Sequence, residues 1–182
     1  MPDIEGPYYL YGAPFRNSGI ICNLTENVNG TSLIIKGRVT EDNCQTGIPA
    51  LLDIWQADSA GEYSMPHGDY LCRGKLHTDP KGYFTVETVM PGWYADLGGY
   101  RPAHIHWKIT PLNQLNDTLT TQLYFQRDPY LGDNDPCSSF CHSGDPTITV
   151  PLHRGFMKRN NTVVVLWGVV LRRSQAGKET KA

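Results

Sequence analysis

The apolar residues of this 182-residue chain fall in short, β-branched stretches, which clusters of Gly, Pro, Asn and Asp separate. Stretches of this kind are typical of β-strands joined by turns, and they leave no room for long helices. We predict six strands, at residues 32–40, 50–55, 83–90, 103–110, 118–126 and 162–171. The last of these is apolar throughout, which predicts a fully buried strand that closes the fold.

The segments between these strands are polar and rich in turn formers. Residues 64–82 are predicted to form a long loop that ends in a tight turn, and residues 128–145 a second long loop. One short helix is predicted at residues 151–161, and residues 174–182 are expected to form a frayed polar tail. The pattern predicts an all-β fold, a single-domain β-sandwich over residues 1–173 with long loops and little helix.

Charge and hydropathy exclude several classes of partner. The net charge is −2 and no basic cluster occurs, so neither nucleic acid nor an anionic membrane surface is an expected partner. No apolar run reaches the roughly 18 residues of a membrane span, and the polar N-terminus does not resemble a signal peptide. We therefore expect no membrane association.

Sequons and cysteines favour an extracellular protein. Four Asn-x-Ser/Thr sites exceed the roughly one expected by chance; they are Asn23, Asn29, Asn116 and Asn160. The five cysteines suit an oxidising compartment, and their odd number leaves at least one unpaired within the chain; they are Cys22, Cys44, Cys72, Cys137 and Cys141. The spacing of Cys137 and Cys141 permits a small local disulfide, and the other pairings stay open. The alternative is a cytosolic protein with free thiols.

The stretch with the most candidate chemistry runs from Pro91 to Trp107 and contains a His-x-His pair. On the predicted strand at residues 103–110, His104 and His106 project from one face, about 7 Å apart along the chain. Two imidazoles placed in this way can bind one metal ion, or they can be a hydrogen-bonded pair on a half-buried strand. The neighbouring Tyr63 and Tyr94 favour the metal.

Five motifs occur in the order found in the intradiol ring-cleavage dioxygenases. They are Gly6-Pro7-Tyr8-Tyr9, Asp53-Ile54-Trp55-Gln56-Ala57-Asp58, Pro91-Gly92-Trp93-Tyr94, Arg101-Pro102-Ala103-His104-Ile105-His106 and Thr121-Gln122-Leu123-Tyr124-Phe125. Over about residues 3–130 the chain resembles this family, in its catechol and protocatechuate dioxygenase branch and in its secreted eukaryotic type. The resemblance implies a β-sandwich.

The resemblance also implies a metal and its ligands. One non-haem Fe(III) per chain would be bound by Tyr63, Tyr94, His104 and His106. A phenol with a pKa near 10 binds a metal at neutral pH only if a strong Lewis acid replaces its proton, and Fe(III) meets that requirement. Because other tyrosines compete, the choice of Tyr63 and Tyr94 depends on the motif match.

The same resemblance implies roles for further residues. Tyr94 and Arg101 would be catalytic, with Arg101 stabilising negative charge on the substrate ring. Gln122 would help to hold the substrate and later intermediates, and Gly6, Pro7 and Tyr8 would line the pocket. Arg101 precedes His104 by three residues, so a regular strand would place it on the opposite face. Pro102 is expected to interrupt the strand and turn the guanidinium back toward the metal.

The implied reaction is cleavage of a catechol between its two hydroxyls by O2, which gives a cis,cis-muconic acid without an external reductant. Two alternatives remain: a secreted β-sandwich binding module without catalysis, and a zinc or cupin-like enzyme built on His-x-His. The second needs a third ligand, and the next acid downstream is Asp117. Because residues 10–31 lack a helical apolar stripe, we expect a monomer with an accessible site.

Overall fold

The computed structural model describes residues 1–22, 30–64, 70–154 and 162–171. Within these ranges the chain forms eleven strands and one short 3₁₀ helix at Gly132–Asn134. The strands are β1 Ser32–Glu41, β2 Ala50–Gln56, β3 Arg73–His77, β4 Tyr83–Val89, β5 Tyr94–Asp96, β6 Gly99–Arg101, β7 His104–Pro111, β8 Leu119–Phe125, β9 Thr149–Val150, β10 His153–Arg154 and β11 Thr162–Leu171. The described part holds no helix that is long and apolar enough to cross a membrane.

The strands form two main sheets and one small hairpin. The four-stranded sheet has the order β10-β11-β1-β4, and the five-stranded sheet has the order β3-β2-β7-β8-β9. The inward faces of both sheets contribute to one core, in which Trp107 of β7 packs against Phe84 of β4 and Trp167 of β11. The hairpin β5-β6 lies outside both sheets. The prediction of an all-β fold is confirmed.

The six predicted strands correspond to β1, β2, β4, β7, β8 and β11. Short apolar or alternating stretches identified them because each strand buries one face or both against the shared core, as in β4, where alternate residues are buried. The division of the chain at residue 173 stays a prediction, since that boundary and the tail at 174–182 lie outside the described residues.

Three predictions were wrong. The strand at residues 162–171, predicted to be fully buried, is β11, and it exposes alternate residues such as Leu166 and Val170 because only one of its faces packs on the core.

Residues 73–77, placed in the long loop, form β3, which pairs with β2 although its sequence RGKLH is mostly polar. His153 and Arg154, placed in the short helix, form β10 and pair with β11. In both places a neighbouring strand supplies the backbone hydrogen bonds, which local propensity does not reveal. The rest of the predicted helix, residues 155–161, lies outside the described residues.

The cysteines form two disulfides, Cys22–Cys72 and Cys137–Cys141, and Cys44 is exposed and free. The sequence spacing permitted the local pair without predicting any pairing, and the odd count does leave one thiol unpaired. Disulfides are compatible with an oxidising compartment, whereas secretion itself stays a prediction. Asn116 lies exposed in the turn between β7 and β8. The sequons at Asn23, Asn29 and Asn160 begin outside the described residues.

The Cys22–Cys72 disulfide should contribute strongly to stability, because it closes a loop with a sequence separation of 50. Loss of a cross-link of this length lowers the free energy of unfolding by about 4 kcal/mol, as the unfolded chain gains entropy. We expect that decrease for the double variant Cys22→Ala/Cys72→Ala in equilibrium urea unfolding. Cys44→Ala, which removes an exposed thiol, is the control and should unfold like the wild type. Equal stability of all three proteins would contradict the prediction.

Candidate active site

His104 and His106 lie in β7, a central strand of the five-stranded sheet. Both side chains project from the same face, as predicted, and their Nε2 atoms are 3.1 Å apart. Each residue is at most 2% exposed. The strand therefore delivers two imidazole nitrogens to one buried point.

Neighbouring groups fix the orientation of each ring. The Nδ1 atom of His104 lies 2.7 Å from the carbonyl oxygen of Pro102, which can only accept, so Nδ1 carries the proton and Nε2 keeps its lone pair. The ring of His106 stacks on Trp55 of β2, with centroids 4.8 Å apart and planes at 5°. Its Nδ1 has no hydrogen-bond partner within the described residues. Stacking therefore holds His106, whereas a hydrogen bond holds His104.

Tyr63 reaches the histidines from the turn that follows β2. Asp58 Oδ1 accepts the backbone N–H groups of Ala60 and Glu62, which shapes this turn. Gly61 has a φ of 85°, and a Cβ there would lie 2.1 Å from the carbonyl oxygen of Trp93, so only glycine fits. The hydroxyl of Tyr63 lies 3.4 Å from Nε2 of His104.

Tyr94 begins the hairpin β5-β6, where its register partner is Arg101. Tyr94 is the last residue of the Pro91–Tyr94 motif and the first residue of β5. Its ring lies 5.5 Å from the ring of Tyr63 and 5.7 Å from that of His104. The hairpin thus brings a second phenol to the two imidazoles.

Arg101 ends β6, and Pro102 and Ala103 separate it from β7. The expected interruption of the strand is present, and it turns the guanidinium toward the same site. Arg101 is 3% exposed, and its Nη1 donates to the hydroxyl of Tyr94 at 3.2 Å. Its Nη2 lies 3.3 Å from both Gln122 Oε1 and the hydroxyl of Tyr124, and its Nε donates to Asp135 at 2.9 Å.

The N-terminal segment covers this site. Gln122 is fully buried, and its Nε2 donates to the carbonyl oxygen of Ile4 at 3.1 Å. Gly6 has a φ of 73°, and a Cβ there would lie 3.3 Å from Cε1 of His106. Tyr8 stacks on Tyr63 with ring centroids 4.3 Å apart. Pro7 lies exposed between Gly6 and Tyr8.

The sequence alone did not identify three residues that support this site. Trp55 was part of a motif but had no assigned role, and Asp135 and Arg73 were in predicted loops. Arg73 is 1% exposed and donates to the carbonyl oxygens of Tyr8 and Ser64, at 2.6 and 3.1 Å. The spacing of residues in the sequence does not predict such contacts, because they join residues far apart in the chain.

Comparison with known proteins identifies the family. The model of the dioxygenase family matches residues 4–153. The chain belongs to the intradiol dioxygenase family. The resemblance inferred from the five motifs is thereby confirmed, whereas the secreted eukaryotic type stays a prediction.

Individual relatives agree with this family assignment. Chlorocatechol 1,2-dioxygenase of Pseudomonas putida is 33% identical, over 82% of this chain and 61% of that relative. Catechol 1,2-dioxygenase 2 of Acinetobacter lwoffii is 31% identical, over 72% of this chain and 53% of that relative. The chain therefore spans about three fifths or less of the length of these two relatives.

Solved structures of dioxygenases are also similar to this chain. The 3-chlorocatechol 1,2-dioxygenase of Rhodococcus opacus 1CP is similar with a TM-score of 0.83 and 30% identity, over 96% of this chain and 73% of that one. The dioxygenase domain of a dioxygenase carbohydrate-binding protein fusion from Streptomyces sp. SirexAA-E has a TM-score of 0.76 and 28% identity, over 96% and 98% of the two chains.

Intradiol dioxygenases typically use non-haem Fe(III), and the donor set of this chain fits that ion. Burial and the charge of Arg101 lower the pKa of His104 to about 3, so its imidazole is neutral at neutral pH. Burial, and then electrostatic repulsion from His104, lower the pKa of His106 well below its ordinary value. Both rings can therefore offer a lone pair.

The two phenols require a strong Lewis acid. Burial raises the pKa of Tyr94 to about 12 and that of Tyr63 well above its ordinary value, so each keeps its proton unless a metal replaces it. The described residues contain no cluster of three His, Cys, Asp or Glu side chains. Phenol oxygens and imidazole nitrogens together form a donor set that suits Fe(III).

Proposed function

We propose that this protein is an intradiol ring-cleavage dioxygenase, which uses O2 to convert catechols to cis,cis-muconic acids. One Fe(III) per chain would be held by Tyr63, Tyr94, His104 and His106. The observation that carries this proposal is the convergence of the two imidazole Nε2 atoms, 3.1 Å apart, with both phenols beside them. The relatives that are named as catechol and chlorocatechol dioxygenases support the substrate class.

Fe(III), when bound, would act as the Lewis acid that lowers the pKa of the catechol hydroxyls and accepts electron density from the ring. His104 and His106 are the anchoring ligands in this proposal, since the backbone pairing of β7 with β2 and β8 holds both residues in place. Tyr63 is similarly fixed by its stack on Tyr8. These three residues keep their positions throughout turnover.

Tyr94 is the displaceable ligand and the proton acceptor. Its oxygen would accept one catechol proton, since burial favours the neutral, protonated phenol. In the structure an N–H of Arg101 lies 3.2 Å from that oxygen and gives it a hydrogen-bond partner. The hairpin β5-β6 suits such movement, because it pairs with neither main sheet.

Arg101 supplies a fixed positive charge, and Gln122 lies next to it. The guanidinium is buried and held from several sides, so it can stabilise negative charge on the substrate ring without reorganising. Gln122 contacts Arg101 and the N-terminal segment together, which supports a role in holding the substrate. Gly6 and Tyr8 are proposed to line the pocket, with Pro7 at its edge.

We further propose a secreted monomer that binds neither nucleic acid nor membrane. All four proposed ligands come from one chain, so the site needs no second subunit to complete it. Sedimentation equilibrium on the glycosylated protein tests the oligomeric state, and a stable dimer at micromolar concentration would overturn this part of the proposal.

Colour and oxygen uptake test the function itself. Protein loaded with iron should bind about one ion per chain and turn red-brown through charge transfer from tyrosinate to Fe(III). With catechol it should consume one O2 per substrate without NADH, as followed with an oxygen electrode. A colourless protein that prefers zinc, or an iron protein that consumes no O2 with any of a panel of substituted catechols, would refute the proposal. A binding module without catalysis would give the second result.

A further inference from the structure

Asp135 is a buried acid in the loop that follows β8. Its side chain is 0% exposed, and its carboxylate accepts hydrogen bonds from Nε and Nη2 of Arg101, at 2.9 and 3.4 Å. The two residues are 34 positions apart in the sequence. This loop therefore reaches across to the base of the hairpin that carries Tyr94.

The loop holds the carboxylate in place independently of Arg101. The backbone N–H of Cys137 donates to Oδ1 of Asp135 at 3.0 Å, and the N–H of Asp135 donates to the carbonyl oxygen of Gly132 at 3.0 Å. The Cys137–Cys141 disulfide closes the chain directly after this point. A carboxylate fixed in this way can hold the longer and more flexible side chain of Arg101 in one orientation.

Because the guanidinium is planar, its contact with Asp135 also fixes the direction in which Nη1 points. When Nε and Nη2 face Asp135 along one edge of the fork, the position of Nη1 is determined by the plane of the group. In the structure Nη1 lies 3.2 Å from the hydroxyl of Tyr94. We propose that Asp135 is a positioning residue, which aims Nη1 of Arg101 at the oxygen of Tyr94. This inference rests on the dioxygenase function proposed above.

A purely structural salt bridge is the competing explanation, because loss of one partner would leave a buried charge uncompensated. Stability alone cannot separate the two roles. They differ in kinetics, since a misdirected guanidinium impairs the chemical step more than the binding of catechol. They also differ in geometry, since only the positioning role requires the contact between Arg101 and Tyr94 to change.

Asp135→Asn tests the proposal, with Asp133→Asn as its matched control. Asp133 is exposed in the same loop, and its substitution removes the same charge. We expect Asp135→Asn to retain iron like the wild type and to lose about 10- to 100-fold in kcat, with little change in KM. Its crystal structure should show the Nη1 atom of Arg101 beyond 3.5 Å from the oxygen of Tyr94. The control should match the wild type in both measurements.

An Asp135→Asn protein that keeps the 3.2 Å contact and turns over like the control would overturn the proposal. If that variant does not fold, Asp135→Glu retains the charge but shifts the carboxylate by one methylene. It should show the same loss of kcat, and wild-type turnover would again overturn the proposal. A wild type that is inactive on every catechol refutes the proposed function instead, while the crystal structures still test the positioning.

Discussion

His106→Ala protein is expected to purify with almost no iron, whereas Tyr94→Phe protein should keep most of its iron and turn over slowly. His106 is one of two imidazoles that the pairing of β7 holds in place, and its Nε2 lies 3.1 Å from that of His104. Loss of affinity should exceed the roughly 10- to 100-fold that is typical when a residue only supports a ligand. Iron analysis of protein purified in parallel provides the measurement.

Tyr94→Phe should leave three of the four proposed ligands but remove the oxygen that accepts the catechol proton. Proton transfer by a positioned side chain contributes about 10²- to 10⁴-fold to a rate, so kcat should fall by at least about 100-fold. His77→Ala removes an exposed histidine of β3 and is the control for both variants. Equal iron content in the His106→Ala and Tyr94→Phe proteins would show that the proposed division of roles is wrong.

The sequence predicted those parts of the fold that bury a face in the shared core. β4 shows this most clearly, since its alternating pattern matches the buried residues of the structure. Elements that depend on a neighbouring strand were missed: β3 at the edge of its sheet, the hairpin β5-β6, and β10. Their residues are mostly polar or form short segments, so no local periodicity distinguishes them from loops.

The site was predictable to the extent that it is local in the chain. His104 and His106 share a face because side chains alternate along any strand, and this follows from spacing alone. Tyr63 and Tyr94 were chosen by motif, because their approach to the histidines depends on a turn and on a hairpin elsewhere in the chain. The structure now places both phenols beside His104.

The sequence did not predict that Arg73 and Asp135 support the site. Their charges affect the site in different ways. Asp135 compensates the charge of Arg101 directly. Arg73 forms no salt bridge with the described acids, and its guanidinium lies 5.9 Å from the ring centroid of Tyr63. An anionic Tyr63, as a metal ligand, would add to the favourable electrostatic interaction that Asp53 already gives this buried cation.

Arg101→Lys should lower kcat by about 100-fold, equivalent to about 3 kcal/mol of transition-state stabilisation, with little effect on KM. Lysine keeps the positive charge, but its single ammonium cannot reproduce a planar fork that contacts Asp135, Tyr94 and Gln122 at once. Steady-state oxygen uptake over a range of catechol concentrations separates the two constants. Arg127→Lys changes an exposed arginine in the same way and should behave like the wild type.

Combining Arg101→Lys with Asp135→Asn tests whether the two residues act as one unit. If Asp135 acts only by directing the guanidinium, the double variant should turn over no more slowly than Arg101→Lys alone, because the group to be directed is already missing. Additive losses would show that Asp135 contributes through another route. A rise in KM with unchanged kcat for Arg101→Lys would make Arg101 a binding residue, and its proposed role in stabilising charge on the ring would then be wrong.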